Sequence, residues 1–166
     1  MPLPAGDRLA FVTYSGAQAI MSIDTTMEQG LQTAKLAEAT QARIGRVIAT
    51  SSKTKNPIDI FPDWLAHGYE KTITEVVNAL LDDRGVDGIV FISFAEKNPE
   101  VYRSLIDVVQ SDRRKPVFAS LLGDSRDKAA CEHLLDSGGL PCYDLPEQAV
   151  RVFARMRQYA KIREKM

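Results

Sequence analysis

Two short, almost wholly apolar runs limit how this chain can fold. Residues 86–94 (VDGIVFISF) and 115–122 (KPVFASLL) carry apolar side chains at odd and even positions alike. A strand that is apolar on both sides must be covered on both sides, and parallel sheets flanked by helices supply that cover. Three more segments read as strands: 8–14 (RLAFVTY), introduced by Pro4-Ala5-Gly6-Asp7, then 31–36 (LQTAKL) after Gly30, and the short 140–144 (LPCYD). Helical stretches alternate with them. The first, 17–29, stops at Gly30, a natural C′ residue, and the second and third cover 38–48 and 65–83. Asn98-Pro99 opens the fourth, where Asn caps and Pro suits the first turn. Asp124-Ser125 caps the fifth, which stops at Gly138-Gly139, and Pro146 starts a last helix over 147–164.

Strand and helix alternating five times imply βαβ units with right-handed crossovers. The expected fold is α/β: a three-layer, flavodoxin-like domain with a five-stranded parallel sheet of order 2-1-3-4-5 and helices on both faces. At 166 residues one hydrophobic core suffices, so 1–166 reads as a single domain. The longest irregular stretch is 49–64 (ATSSKTKNPIDIFPDW); loops of that length tend to be functional.

Composition excludes more than it assigns. A formal net charge of −1 gives no global attraction to nucleic acid or to an anionic membrane. No apolar run approaches the ~20 residues of a membrane span, and residues 1–10 lack the basic start and apolar centre of a secretory signal. Cys131 and Cys142 show no ligand spacing, and two thiols without a motif fit a reducing cytoplasm. With only two histidines, His67 and His133, a zinc set is not expected, and no metal site is assigned.

In doubly wound sheets ligands gather at the carboxyl ends of strands where strand order reverses, here beside the first strand. The residues there are Thr13-Tyr14-Ser15-Gly16-Ala17-Gln18, leading straight into a helix. A helix start has backbone N–H groups without intrahelical partners and the positive end of the dipole. Gly16 lets backbone approach a ligand, and Ser15 can cap or donate to an oxyanion. The loop is therefore a candidate phosphate site, although Ser-Gly is also a routine turn into a helix. It contains no Lys and no GxGxxG, so it is neither a P-loop nor a dinucleotide fingerprint.

Five phrases in register resemble the last flavodoxin-like domain of the NDP-forming acyl-CoA synthetases, the acetate–CoA ligase (ADP-forming) group related to succinyl-CoA synthetase. They are 8–16 (RLAFVTYSG), 55–59 (KNPID), 86–90 (VDGIV), 115–123 (KPVFASLLG) and 140–151 (LPCYDLPEQAVR). The resemblance implies an enzyme that interconverts acyl-CoA, phosphate and NDP with acid, CoA and NTP through a phosphohistidine on a different domain. It implies that Ser15, Gly16, Ala17 and Gln18 begin a helix facing that phosphohistidine, and that Asn56 and Asp59 support a loop near the active centre. No residue of this chain is then catalytic, and the domain alone binds no cofactor. ATP or ADP, Mg²⁺ and CoA belong to the full enzyme, whose CoA-binding, phosphohistidine-bearing and ATP-grasp domains are the expected partners. The family loop usually reads Gly-Gly-Pro-Gly where this chain has Ser15-Gly16-Ala17-Gln18, so Gln18 could bind a phosphate or block one. A chain of this extent is expected to be a fragment, a separate subunit or a relative without catalysis, and inactive by itself.

Other readings compete. Asp59 and Asp63 could hold Mg²⁺, but Asp63 before Trp64-Leu65 suits a helix cap. Three cations in 111–115 (SDRRK) read as a solvated turn. Val150, Phe153, Met156, Tyr159 and Ala160 form a helical stripe that reads as core. An FMN carrier would need Tyr14 and Trp64 to sandwich the flavin. A receiver domain would need acids where the strands end in Thr13-Tyr14-Ser15 and Ser93-Phe94-Ala95-Glu96. A stand-alone interaction or regulatory domain of the same fold, homo-oligomeric or not, is the main alternative.

Overall fold

The computed structural model describes every residue except Pro62, and of Ser51, Ser52 and Ser125 the backbone alone. In chain order the elements are β1 (Arg8–Thr13), α1 (Gly16–Glu28), β2 (Gln32–Thr33), α2 (Glu38–Ile44), β3 (Ile58–Asp59), α3 (Trp64–His67), α4 (Tyr69–Asp82), β4 (Gly88–Phe94), α5 (Arg103–Ser111), β5 (Val117–Leu122), α6 (Ser125–Ser137), β6 (Cys142–Tyr143) and α7 (Pro146–Arg163). Short 3₁₀ turns, Ser51–Thr54 and Pro99–Tyr102, precede β3 and α5. No helix among the described residues is long and apolar enough to cross a membrane.

All strand pairings are parallel, in the order β2-β1-β4-β5-β6. The expected five-stranded sheet of order 2-1-3-4-5 is corrected here: the described residues form six strands, because β3 also pairs with β1. β2 lies beside Arg8 and Leu9, and β3 beside Val12 and Thr13, so the two share one edge of β1 end to end. β2 and β6 shrink to two residues each from the longer runs expected.

The alternation along β4 shows why both faces are apolar. Val90 and Ile92 join Leu9, Phe11 and Phe118 beneath Ala149, Val150 and Phe153 of α7. Ile89 and Phe91 join Ala10, Val12, Ala119 and Leu121 beneath helices α2, α4, α5 and α6. At Gly88 a Cβ would stand 2.4 Å from the Phe153 ring, so α7 seats there on bare backbone.

Asn98 Oδ1 accepts from Glu100 N–H, and Asp124 Oδ1 from Arg126 N–H, as caps should. The single helix expected over 65–83 is broken, because Gly68 adopts φ 86°, ψ 143° between α3 and α4. Asp63 stands at the start of α3 but makes no capping bond there. Its Oδ1 accepts from Ala49 N–H at 2.8 Å and ties the long loop to itself. Lys115 donates to the carbonyls of Leu80 and Asp83 at the end of α4, and Arg114 pairs with Asp82 at 2.8 Å, so two of the three cations in 111–115 tie this turn to α4.

The gap between β2 and β3 is filled by a side chain. Asn56 Oδ1 accepts from Phe11 N–H at 2.9 Å, while Nδ2 donates to Leu9 and Ala34 carbonyls, both at 2.9 Å. The amide thus does the work of a missing strand residue on a buried edge. Asn56→Ala removes three hydrogen bonds and leaves the Phe11 N–H unpaired, which is expected to cost about 3 kcal/mol in urea unfolding at constant m-value. An unchanged midpoint would show that water replaces the amide without loss.

At the amino edge, Asp87 accepts from the backbone N–H of Arg8 at 3.0 Å and from its guanidinium at 2.7 and 2.9 Å. Burial alone would raise the Asp87 pKa, but the Arg8 bonds outweigh it and hold it below the usual carboxylate value. Asp83 is lowered likewise, by bonds that include those from Ala37 and Gly85 N–H, against its own burial. Below about pH 4 the unfolded chain takes up protons that these folded carboxyls refuse, so stability is lost as pH falls towards their depressed values. Urea midpoints should drop steeply from pH 5 to pH 3 and less so in Asp87→Asn; parallel curves would remove Asp87 from this role.

Candidate functional site

Thr13, Ile92, Ser120 and Tyr143 occupy one register row across β1, β4, β5 and β6. Just past that row lies the carboxyl edge, where 13–18 turn from strand to helix. Thr13 is fully buried, and its Oγ1 accepts from Ser15 N–H and donates to the Ser15 carbonyl, both at 2.8 Å. One hydroxyl thus folds the chain from strand to helix within two residues.

Ser15 stands at the N-cap of α1 in extended conformation and makes no side-chain capping bond. The first turn of α1 contains no acidic residue. Gly16 and Ala17 are exposed, and a Cβ built on Gly16 meets nothing within 4 Å. The N–H groups of Gly16, Ala17 and Gln18 have no intrahelical acceptor at such a start. They and the dipole therefore present positive partial charge outward, with no acidic residue in the first turn to offset it. Gln18 is half-buried on the flank it shares with Ser22 and Thr25, and its Oε1 is enclosed without a hydrogen-bond partner.

The loop residues sit on the same edge. Asp59 pairs in register with Thr13, accepts from Phe61 N–H at 3.0 Å and is bridged by Lys53 at 3.1 Å. Asn56 lies deeper, against the backbone of β1. Their side chains are occupied in shaping the loop and its seat on β1. Among the described residues no group of three or more His, Cys, Asp or Glu side chains could hold a metal ion. His67 and His133 are exposed, on α3 and α6 respectively.

An aromatic cluster, not foreseen from the sequence as a unit, backs this edge on the α4 side. Tyr14 stacks on Tyr69 with centroids 6.0 Å apart, Trp64 meets Tyr69 edge-on at 5.9 Å, and Tyr69 continues to Tyr102 at 6.1 Å. Tyr14 and Trp64, the two rings a flavin would need as walls, are tilted 57° at 6.2 Å and pack on each other. They form no parallel slot for a flat ring. The Trp64 N–H is enclosed without a hydrogen-bond partner, the Tyr14 and Tyr69 hydroxyls are enclosed beside each other, and the Tyr102 hydroxyl donates to the Phe94 carbonyl. Tyrosines at 14 and 69, 55 residues apart, gave no local signal of meeting.

No family model matches the chain. It is a flavodoxin-like α/β domain that resembles, along nearly its whole length, a segment of ADP-forming acid–CoA ligases. It is 29% identical over 98% of its length to acetate–CoA ligase (ADP-forming) II of Archaeoglobus fulgidus. Over 96% of its length it is 30% identical to the alpha subunit of acetate–CoA ligase (ADP-forming) II of Pyrococcus furiosus. The chain spans only 24% and 35% of those two proteins. In fold it superposes with a TM-score of 0.85 on a crystal structure from Pyrococcus horikoshii, at 24% identity, covering 97% of this chain and 37% of that one. The dinucleotide-forming acetyl-coenzyme A synthetase 1 of Ca. Korarchaeum cryptofilum, in complex with phosphate and ADP, gives 0.81 at 24% identity, over 98% and 35%.

Burial holds Tyr14, Tyr69 and Tyr102 above the ordinary tyrosine pKa. Above about pH 10 the unfolded chain releases protons that these folded tyrosines keep, so their contribution to stability is lost as pH rises. In an alkaline absorbance titration these three of the five tyrosines should ionise only with loss of near-ultraviolet circular dichroism. Ionisation of all five with the fold intact would contradict the packing described.

Proposed function

We propose that this chain is the phosphate-facing, non-catalytic module of an NDP-forming acyl-CoA synthetase. The full enzyme interconverts acyl-CoA, phosphate and NDP with acid, CoA and NTP. On this reading the amino end of α1 faces a phosphohistidine held on another domain, and the N–H groups of Gly16, Ala17 and Gln18 donate to its phosphoryl oxygens. The observation that carries the reading is the open first turn of α1, uncapped by Ser15 and free of acidic residues. Such an end stabilises an anion through its unpaired amides and its dipole. The presence of phosphate and ADP in the Korarchaeum synthetase supports it.

The chain spans about a quarter to a third of the relatives, so the remaining chemistry is assigned to domains outside it. CoA-binding, phosphohistidine-bearing and ATP-grasp units are the proposed partners, and ATP or ADP, Mg²⁺ and CoA are proposed to bind there. In this proposal Thr13 fixes the angle at which α1 leaves the sheet, and Asn56 and Asp59 hold the neighbouring loop. With its side chain turned to the flank of α1, Gln18 leaves its N–H available.

Backbone amide shifts of ¹⁵N-labelled protein test this directly. Phosphate should give saturable shifts confined to residues 15–19, and FMN none. Ala17→Glu places a carboxylate among the unpaired amides and should abolish the phosphate response. Acyl-CoA turnover should appear only when the companion domains are added. Full turnover by the chain alone would overturn the non-catalytic assignment, and shifts spread over the surface would overturn the phosphate site.

A further inference from the structure

The first helix is turned inside out. The residues it buries are Ala19, Ser22, Thr25 and Thr26, all small or hydroxylated. Of its larger apolar side chains only Ile23 packs, half-buried, against the core beside α7; the others face away from the sheet, Ile20 62% exposed, Met21 50% and Met27 68%. Ile20, Met21, Asp24, Met27 and Glu28 make one outward face at spacings of three and four. The inward hydroxyls are satisfied within the helix, Ser22 donating to the Gln18 carbonyl and Thr26 to that of Ser22, both at 2.7 Å. Polar residues inward and apolar residues outward make sense where the outer face is covered by another surface.

The neighbouring helix α7 supplies the other half of that surface. Its outward side carries Arg151, Arg155, Tyr159 (55% exposed) and Ile162 (59%). Opposite charges are thus sorted by helix, Asp24 and Glu28 on α1 against Arg151 and Arg155 on α7. Among the described residues none of these four forms an ion pair within the chain.

We propose that the α1–α7 face is the interface of a twofold homodimer in which α1 of one chain lies along α7 of the other. The charge pattern selects the occupant, because a surface with one acidic and one basic helix is complementary to its own copy. It also selects the axis. A twofold perpendicular to the helices would set α1 on α1 and α7 on α7, like charge on like. A twofold parallel to them sets acidic on basic. The depths agree as well. Thr13 and Tyr143 lie in the same register row, and α1 and α7 each start three residues after it. Asp24 lies eight residues beyond Gly16 and Arg155 nine beyond Pro146, so the two reach the same level. Ile20, Met21, Met27, Tyr159 and Ile162 supply the apolar area, and the Asp24–Arg155 pairs fix the register. The interface runs along the flank of α1 and leaves the open carboxyl edge at Ser15 and Gly16 uncovered. The inference therefore stands or falls apart from the phosphate-facing role.

Sedimentation equilibrium on the intact chain across the micromolar range decides it. The expected species has twice the 18.4 kDa chain mass. Ile20→Glu and Asp24→Arg, both at exposed positions, should each weaken the dimer at least tenfold without changing far-ultraviolet circular dichroism. The exchange Asp24→Arg with Arg155→Asp should restore most of the association that Asp24→Arg removes. A wild-type chain that stays monomeric throughout overturns the proposal, including the case in which this face binds only a different chain. A dimer indifferent to both single substitutions overturns it equally.

Discussion

The outer edge of β1 is the constraint on which the rest of the structure depends. A central strand of a parallel sheet must have its N–H and C=O groups met on both sides, and on one side β4 does this without interruption. On the other, two residues of β2 and two of β3 leave a gap in the middle, which the Asn56 amide closes. Only a side chain with a donor and an acceptor on one planar group can imitate a peptide in this way. Because Asn56 holds the long loop against β1, Asp59 comes level with Thr13, and the edge where α1 begins gains a second wall.

Much of this layering was legible in the sequence. The runs 86–94 and 115–122 announced buried strands because they are apolar at every register, and Gly30, Asn98 and Asp124 marked helix ends through local chemistry. β3 was not legible, since Ile58 and Asp59 lie in a polar loop and become a strand only by meeting β1. The break at Gly68 was hidden within a continuous amphipathic pattern. At the candidate site, Ser15 to Gln18 could be picked out from their place after the first strand, whereas the Thr13 bonds depend on a conformation that composition does not reveal. Asn56 drew attention through a resemblance, but its bonding to Phe11, Leu9 and Ala34 is a property of the assembled sheet.

The aromatic cluster behind the edge illustrates a different limit. Tyr14, Trp64, Tyr69 and Tyr102 come from four separate elements or turns, and each alone would pass for an ordinary core residue. Together they fill the volume between the edge and α4 with rigid rings, a dense backing against which the turn at 13–16 is set. Their enclosed hydroxyls keep their protons, so the cluster adds no negative charge beside the positive end of α1.

The inward face of α1 has an energetic consequence. Apolar burial scales with the area removed from water, and Ala19, a half-buried Ile23 and a few hydroxyl-bearing side chains contribute little of it. The helix is consequently held to its own sheet more weakly than α7, which buries Val150 and Phe153. Any surface that covers Ile20, Met21 and Met27 supplies anchoring that the fold itself withholds. Association and the local ordering of α1 are then thermodynamically linked, with concentration setting how firmly the start of that helix is presented.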